Sequence, residues 1–575
     1  VIKTWNTVNQ ELVAKSIGEL TFEEVLRPEP NGTHFEFTTK SGVNYRFEGW
    51  KTVWEYLRVK PSTLMRNGES VVSAAQFFCD IQPETGMNDI TLGNFFEEMH
   101  NTLYSDTKLK HKNANALVKE LAHWSGEKIQ TILNGHPKIL LNKGRVGWNT
   151  EDLDRYSPEA HQPFKLFWIA VKNELLNVNL APGMTAEKIL EESFDANDLQ
   201  AFKSTLISKA IDSNFTVLPV HPWQWKRYIQ IQFAADIAAG SLIPVGEYGD
   251  DYCPQISIRT LSNVSRPERM DVKLPLSILN TSCIRGLPAK HVEMGPSLSA
   301  NLEALCHTDE TLKDIVILKE AAGMTFVHPG YKKVEKAPYR YHEFLGAVYR
   351  ESSMSKIAAN EKAILTASLF HQDENGHSLI GEYIRASGLS SELWLRSLFE
   401  TVVVPLYHLQ LKYGVGLVAH GQNIVLILKD HRPHRMILKD FHGDMRLLNE
   451  LPEVSQKFFS ALQKDITKLP PHYLIHDLIT GHFVTVLRFI SAVMKESEDM
   501  EEGRFYGILS DVIELYKKSH QVEVDSQIDL LQPQISRVLL NKVRFNIGYG
   551  DSDARPLPIL GSPLNNPLVK QASQL

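Results

Sequence analysis

Residues 415–444, VGLVAHGQNIVLILKDHRPHRMILKDFHGD, read as a β-hairpin that brings a cluster of polar groups to one end. The run 424–428 is apolar and β-branched, 429–434 is polar and contains a proline, and 435–439 returns as a second strand. A symmetric turn over 429–434 sets Asn423 directly opposite Asp440. A neutral amide oxygen and a carboxylate on neighbouring strands are hard ligands, suited to a magnesium ion that nucleotide phosphates also hold. Asn and Asp are equally ordinary turn and cap residues, so the pattern needs support from elsewhere in the chain.

Residues 255–288, QISIRTLSNVSRPERMDVKLPLSILNTSCIRGLP, interleave hydroxyls with fixed cations. A strand over 256–260 directs Ser257 and Arg259 to one face beside Thr260, and a second over 272–280 places Lys273 alongside. Apolar neighbours surround Lys273. Thr281 and Ser282 lie one helical turn before Arg285, a spacing that brings all three to one ligand. Such a wall gives charge-assisted hydrogen bonds to a polyphosphate or polycarboxylate; a solvated sheet face is the plainer alternative. Residues 135–147, GHPKILLNKGRVG, add His136, Lys138, Lys143 and Arg145 beside glycines. The HPWQW segment at 221–225 reads as a packed loop.

At 575 residues the chain is too long for one core and predicts two or three subdomains with shared interfaces. Hydrophobic content of 43% and charged content of 22% are those of a globular protein. The net charge of −7 argues against general nucleic-acid binding and leaves room for a local basic pocket. No secretory signal is expected at 1–16 and no apolar run of membrane-spanning length, which predicts a cytoplasmic protein with no membrane partner. Cys79, Cys253, Cys283 and Cys306 are too dispersed for a disulfide framework or zinc site.

Along the chain, 34–47 alternates as a hairpin, while 71–82 and 92–104 have helical spacing. From about 135 to 385 the texture is mixed α and β, with strands expected at 242–246 and 255–260. Ser390 or Ser391 can cap a helix with a stripe of Leu393, Leu398, Val402, Leu406 and Leu409, kinked at Pro405 and ended by Gly414. Helices such as 475–494 follow the hairpin.

Taken in order, HPWQW, SIRT at 257–260, KLPLSILNTSCIRG at 273–286, HGQN at 420–423 and KDFHGD at 439–444 resemble the NRPS-independent siderophore synthetases, the IucA/IucC family, over nearly the whole chain. The resemblance implies an α+β cupped-hand fold with a thumb (1–134), fingers (135–388) and palm (389–575), usually as a homodimer. It implies that ATP and magnesium convert a carboxylate to an acyl-adenylate, which an amine then attacks. Carried over, Ser257, Arg259, Thr260 and Lys273 hold the ATP phosphates. Thr281, Ser282, Arg285, His136 and His420 surround the carboxylate and α-phosphate, with Arg285, His420 and His136 as the catalytic groups. Asn423 and Asp440 serve magnesium and nucleotide. Ser282 stands where some citrate-activating relatives have Asn, which puts citrate itself in doubt.

Among the branches the chain is most similar to type C, which joins a monoamide or monoester carboxylate to an N-hydroxylated diamine. KAPYRYHEFLGAVYRES at 336–352 resembles enzymes that dimerise and close N-hydroxy-N-succinyl-diamines into macrocyclic dihydroxamates. LIHDLITGHFVTVLRFIS at 474–491 resembles aerobactin synthetase, which joins N6-acetyl-N6-hydroxylysine to a citryl monoamide. The macrocycle is the first expectation and the aerobactin-type product the alternative. Two other classes stand beside these. HGQN and KDFHGD are also similar to small-molecule kinases, although Gln422 occupies the place of their catalytic Asp and no Gly-rich phosphate loop is present. The third is a siderophore-binding protein without turnover.

Overall fold

A computed structural model describes residues 2–281, 283–441, 443–521, 525–547 and 558–569. The opening helix α1 (Ile2–Phe22) buries Val8, Leu12, Val13, Ile17 and Leu20. These side chains share a core with the expected hairpin, strands His34–Thr38 and Asn44–Lys51, which belongs to a six-stranded sheet. The short strands that complete that sheet carry too little alternation to be seen in sequence. Helix Asp89–Asn113 packs beside α1 and contains the expected 92–104 segment.

The middle of the chain builds an eight-stranded antiparallel sheet. Two expected strands fail here, each for a local reason. Residues 256–259 form a turn in which buried Ile258 has φ of 67°, so pairing starts only at Thr260. The 272–280 segment splits at Pro275, which has no N–H to continue a ladder. Asp271–Lys273 stays in the large sheet, whereas Leu276–Asn280 turns away and pairs with Cys283–Arg285 as a separate hairpin. Thr281 and Arg285 are therefore related by a hairpin turn and not by a helical one. HPWQW packs as expected: Trp223 and Trp225 are buried, and Gln224 exchanges hydrogen bonds of 2.9 Å with the hydroxyl and backbone of Ser277, fixing that hairpin to the sheet.

Helix Ser391–Tyr413 is capped by Ser390, whose hydroxyl accepts the Leu393 N–H, and ends at left-handed Gly414. Leu398, Val402, Leu406 and Leu409 are buried as expected, but Leu393 is 55% exposed, because the apolar stripe begins with Trp394 and Leu395. The 415–444 hairpin pairs Ile424–Lys429 with Arg432–Leu438 inside a four-stranded sheet. Its turn is the two residues Asp430 and His431, both with positive φ (50° and 63°), in place of the six expected. Ile424 faces Leu438, with a register shift after Ile427, so Asn423 is not set opposite Asp440. Helix Pro471–Glu498 is long and apolar enough to cross a membrane, contrary to the sequence expectation, yet 94% of its most apolar stretch is buried in the protein. Its centre, Ile479–Leu487, is a π-helix.

Candidate functional site

The 135–142 loop, the 256–259 turn, the Leu276–Arg285 hairpin, the HGQN turn and the π-helix converge on a cavity of about 240 Å³. His136, Ser257, Arg259, Lys273, Thr281, Arg285, His420, Asn423 and Asp440 all line it. Segments as far apart as Gly135 and Thr485, 350 positions in sequence, thus meet at one place. Thr260 does not line it: its side chain is buried, next to its cross-strand neighbour Lys273, with no hydrogen-bond partner for the hydroxyl among the described residues. Ser282 lies outside the described residues.

Asp440 is the electrostatic centre of the wall. Its carboxylate accepts Lys273 Nζ at 2.6 Å and pairs with Arg350 Nη1 at 3.0 Å, and Arg350 also reaches Asp271 at 3.1 Å. The backbone at Asp440 is left-handed (φ 62°), a conformation Asp tolerates and which lets the chain leave the strand and turn into the cavity. Asn423 is tied instead to Asp444, whose carboxylate accepts its amide at 2.9 Å. Arg259 donates to the Gly286 carbonyl, and Arg285 donates to the carbonyls of Asn280 (2.8 Å) and Thr281 (3.4 Å). Both guanidiniums are thereby held against the rim of the same hairpin.

The two histidines have the same arrangement. His136 Nδ1 accepts the Ile139 N–H at 3.1 Å and His420 Nδ1 accepts the Gln422 N–H at 3.3 Å. With Nδ1 occupied as an acceptor, the proton of each neutral ring sits on Nε2, which makes it a donor toward a ligand oxygen. Burial, reinforced by His420, Lys15, Lys138 and Arg285, holds His136 well below the usual imidazole range. Burial likewise lowers His420, against the opposing pull of Asp444 and Asp440. Both rings are therefore neutral near pH 7 and poorly suited to taking up a further proton.

The HGQN turn is seated by close backbone contacts. A Cβ on Gly421 would lie 2.8 Å from Ala367 Cβ and 2.9 Å from its N. From the other side, the His482 ring bonds the Ala419 carbonyl at 3.0 Å, and Thr485 of the π-helix lines the cavity.

Of the other expected cations in 135–147, none reaches the site. Lys138 is fully buried against Glu19 and Glu23, Lys143 pairs with Asp106 at 2.6 Å, and Arg145 forms a two-point pair with Glu159. Missed in sequence are Asp444, which lines the cavity, and Arg350, Asp271 and Lys439, which do not line it, although Arg350 pairs with both Asp440 and Asp271. Burial lowers Lys439 to about 8 and raises Asp271. Asp444 and Lys439 stand in the KDFHGD segment and were open to detection; Arg350 and Asp271 carry no local signal. A larger cleft of about 1260 Å³ adjoins the cavity, sharing Gly135, Pro137, Asn142, Ile256 and Ala367 with it.

Residues 127–371 match the IucA/IucC family model, and residues 392–552 match a model described as ferric iron reductase FhuF-like transporter. The latter segment contains no cysteine, so it has no thiolate ligands for an iron centre. Aerobactin synthase of Escherichia coli is 40% identical over 572 residues, covering 98% of each chain. Putrebactin synthase of a Shewanella strain is 28% identical over 94% of this chain and 87% of its own. Among solved structures, the aerobactin synthetase IucC from a hypervirulent pathotype of Klebsiella pneumoniae superposes with a TM-score of 0.88 at 37% identity, covering 98% of both chains. Similarity of this extent, over a cavity lined by the residues the motifs picked out, places the chain in the IucA/IucC family of NRPS-independent siderophore synthetases.

Proposed function

We propose that this synthetase adenylates the free carboxylate of a citryl monoamide with ATP and condenses it with the amine of an N-hydroxylated diamine, as in aerobactin assembly. The observation that carries it is the convergence of Ser257, Arg259, Lys273, Thr281, Arg285 and His420 on one cavity with identity of 40% to an aerobactin synthase. The macrocyclic product, ranked first from sequence, takes second place: the putrebactin synthase relative stands at 28%.

In the first step a carboxylate oxygen attacks the α-phosphorus and pyrophosphate leaves. A carboxylate and a polyphosphate repel each other, so fixed cations must offset that charge before the two can meet. Arg259 and Lys273 face the leaving phosphates, and Arg285 faces the carboxylate and the α-phosphoryl group. His136 and His420 donate from Nε2 to oxygens that gain charge. Asn423 and Asp444 offer the oxygen donors that would hold magnesium, whereas both carboxylate oxygens of Asp440, expected as a ligand, are paired with Lys273 and Arg350; the ion would draw charge from the pyrophosphate. In the second step the amine nitrogen attacks the acyl carbon, the amide C–N bond forms, AMP leaves, and the amine loses its proton. The neutral, depressed imidazoles make poor bases for that proton, so positioning against a reactive adenylate supplies most of the acceleration. The adjoining larger cleft is where the amine substrate enters. The enzyme acts in the cytoplasm as a homodimer.

The test is pyrophosphate release by purified protein with ATP and magnesium. A citryl monoamide with N6-acetyl-N6-hydroxylysine should stimulate it strongly, and N-hydroxy-N-succinyl-diamines weakly. Stimulation only by the latter would reverse the order of the two substrates, and stimulation by neither would refute both.

A further inference from the structure

Helix α1 carries Lys15 and Glu19 one turn apart on one face, and Glu23 follows directly after its last residue, Phe22. That face meets the loop bearing His136. Lys15 Nζ donates to the carbonyls of His136 (3.2 Å) and Ile139 (2.5 Å). Lys138 Nζ, fully buried, donates to Glu19 (3.2 Å) and Glu23 (3.0 Å). The other oxygen of Glu19 accepts Arg488 at 2.5 Å, also fully buried. Arg488 directly follows the π-helix and stands three residues after Thr485, which lines the cavity. One carboxylate thus ties together two walls of the site that are remote in sequence.

Buried ion pairs of this kind add little stability over apolar packing, because desolvation cancels most of the attraction. What they do provide is direction. Lys15 fixes the carbonyls at both ends of the 136–139 loop, and within that loop the Ile139 N–H sets the plane and tautomer of the His136 ring. We infer that the charged face of α1 is the positioning device for His136, with Lys15 acting through the loop carbonyls and Glu19 coupling the loop to the helix that bears Thr485. Neither residue touches the reacting atoms. The inference rests on the adenylation chemistry proposed above.

Lys15 suits a test because it is half-buried at the edge of the larger cleft, so its replacement does not open the core. The full-length parent, Lys15→Met, Lys15→Arg and the isosteric Glu19→Gln are compared in pyrophosphate release at varied ATP and in thermal melting. A displacement of the His136 loop by about 1 Å predicts a kcat lower by roughly 10- to 100-fold in Lys15→Met. The KM for ATP should stay within about three-fold, because the phosphate wall is untouched, and Lys15→Arg should recover most of the loss. Glu19→Gln should show the same kcat-selective pattern in its folded fraction. Unchanged kcat in Lys15→Met, a loss that only follows the folded fraction, or failure of arginine to rescue would each overturn the inference. A parent that releases no pyrophosphate would overturn the adenylation chemistry instead, which separates the two.

Discussion

Replacing Arg285 by alanine separates chemistry from folding better than any other single change at this site. The side chain is half-buried, and the hydrogen bonds described for it go to carbonyls of its own hairpin, Asn280 and Thr281. That hairpin is also held by the ladder between Leu276–Asn280 and Cys283–Arg285 and by Gln224. Losing the guanidinium should cost about 1 kcal/mol of stability, a shift in Tm of roughly 2 °C for a chain of this size. The chemical cost is larger. A unit positive charge about 4 Å from the transferring group, at an effective dielectric constant of about 20, contributes ~4 kcal/mol, or about 10³ in rate. Continuous pyrophosphate release at saturating magnesium-ATP should therefore fall by two to three orders of magnitude in Arg285→Ala. Arg285→Lys should recover about ten-fold, since a point charge replaces the charge but not the planar fork. Arg285→Ala within five-fold of the parent, with unchanged melting, would refute the assignment.

Asp440→Asn leaves Lys273 and Arg350 facing each other without their shared carboxylate, and should lower stability by about 3–5 kcal/mol and weaken ATP binding; an unchanged urea midpoint would contradict this. Asp477, beneath the HGQN turn, is raised by burial to about 7, opposed by Arg446 and assisted by Asp444. The folded state therefore holds a proton that the unfolded state releases near pH 4. The stabilising effect of that proton is complete below pH 4 and is lost as pH rises to about 7. Asp477→Asn should match the parent near pH 4 and exceed it by up to about 4 kcal/mol at pH 8 in urea unfolding, and a difference independent of pH would exclude this titration. Gly421→Ala drives a Cβ to 2.8 Å from Ala367 Cβ and 2.9 Å from its backbone nitrogen. It should cost about 1–3 kcal/mol and lower kcat/KM, with only partial rescue by Ala367→Gly because the backbone contact remains.

The sequence was most informative where chemistry and spacing coincide. Helix Ser391–Tyr413 announced its own cap and stop, and HGQN and KDFHGD named residues that do line the cavity. Register was not legible, because Asp430 and His431 both adopt positive φ, a choice that a polar stretch with a proline conceals. The 256–260 strand failed for the same kind of reason, a left-handed Ile258 buried at the turn. Lys138, Lys143 and Arg145 looked like ligand donors because their partners, Glu19, Glu23, Asp106 and Glu159, come from other elements. Conversely, Arg350 is brought to Asp440 by a sheet pairing with Asp271–Lys273 that no local pattern encodes.

The fate of oxygen decides the central claim. If a carboxylate labelled with ¹⁸O at both oxygens is adenylated and then attacked by the amine, one labelled oxygen remains on phosphorus and the other on the acyl carbon, so the products are singly labelled AMP, singly labelled amide and unlabelled pyrophosphate. Mass spectrometry or ³¹P NMR of a single turnover should show exactly that AMP isotope shift. Formation of ADP with labelled inorganic phosphate would mean an acyl phosphate, and would contradict the proposed adenylation.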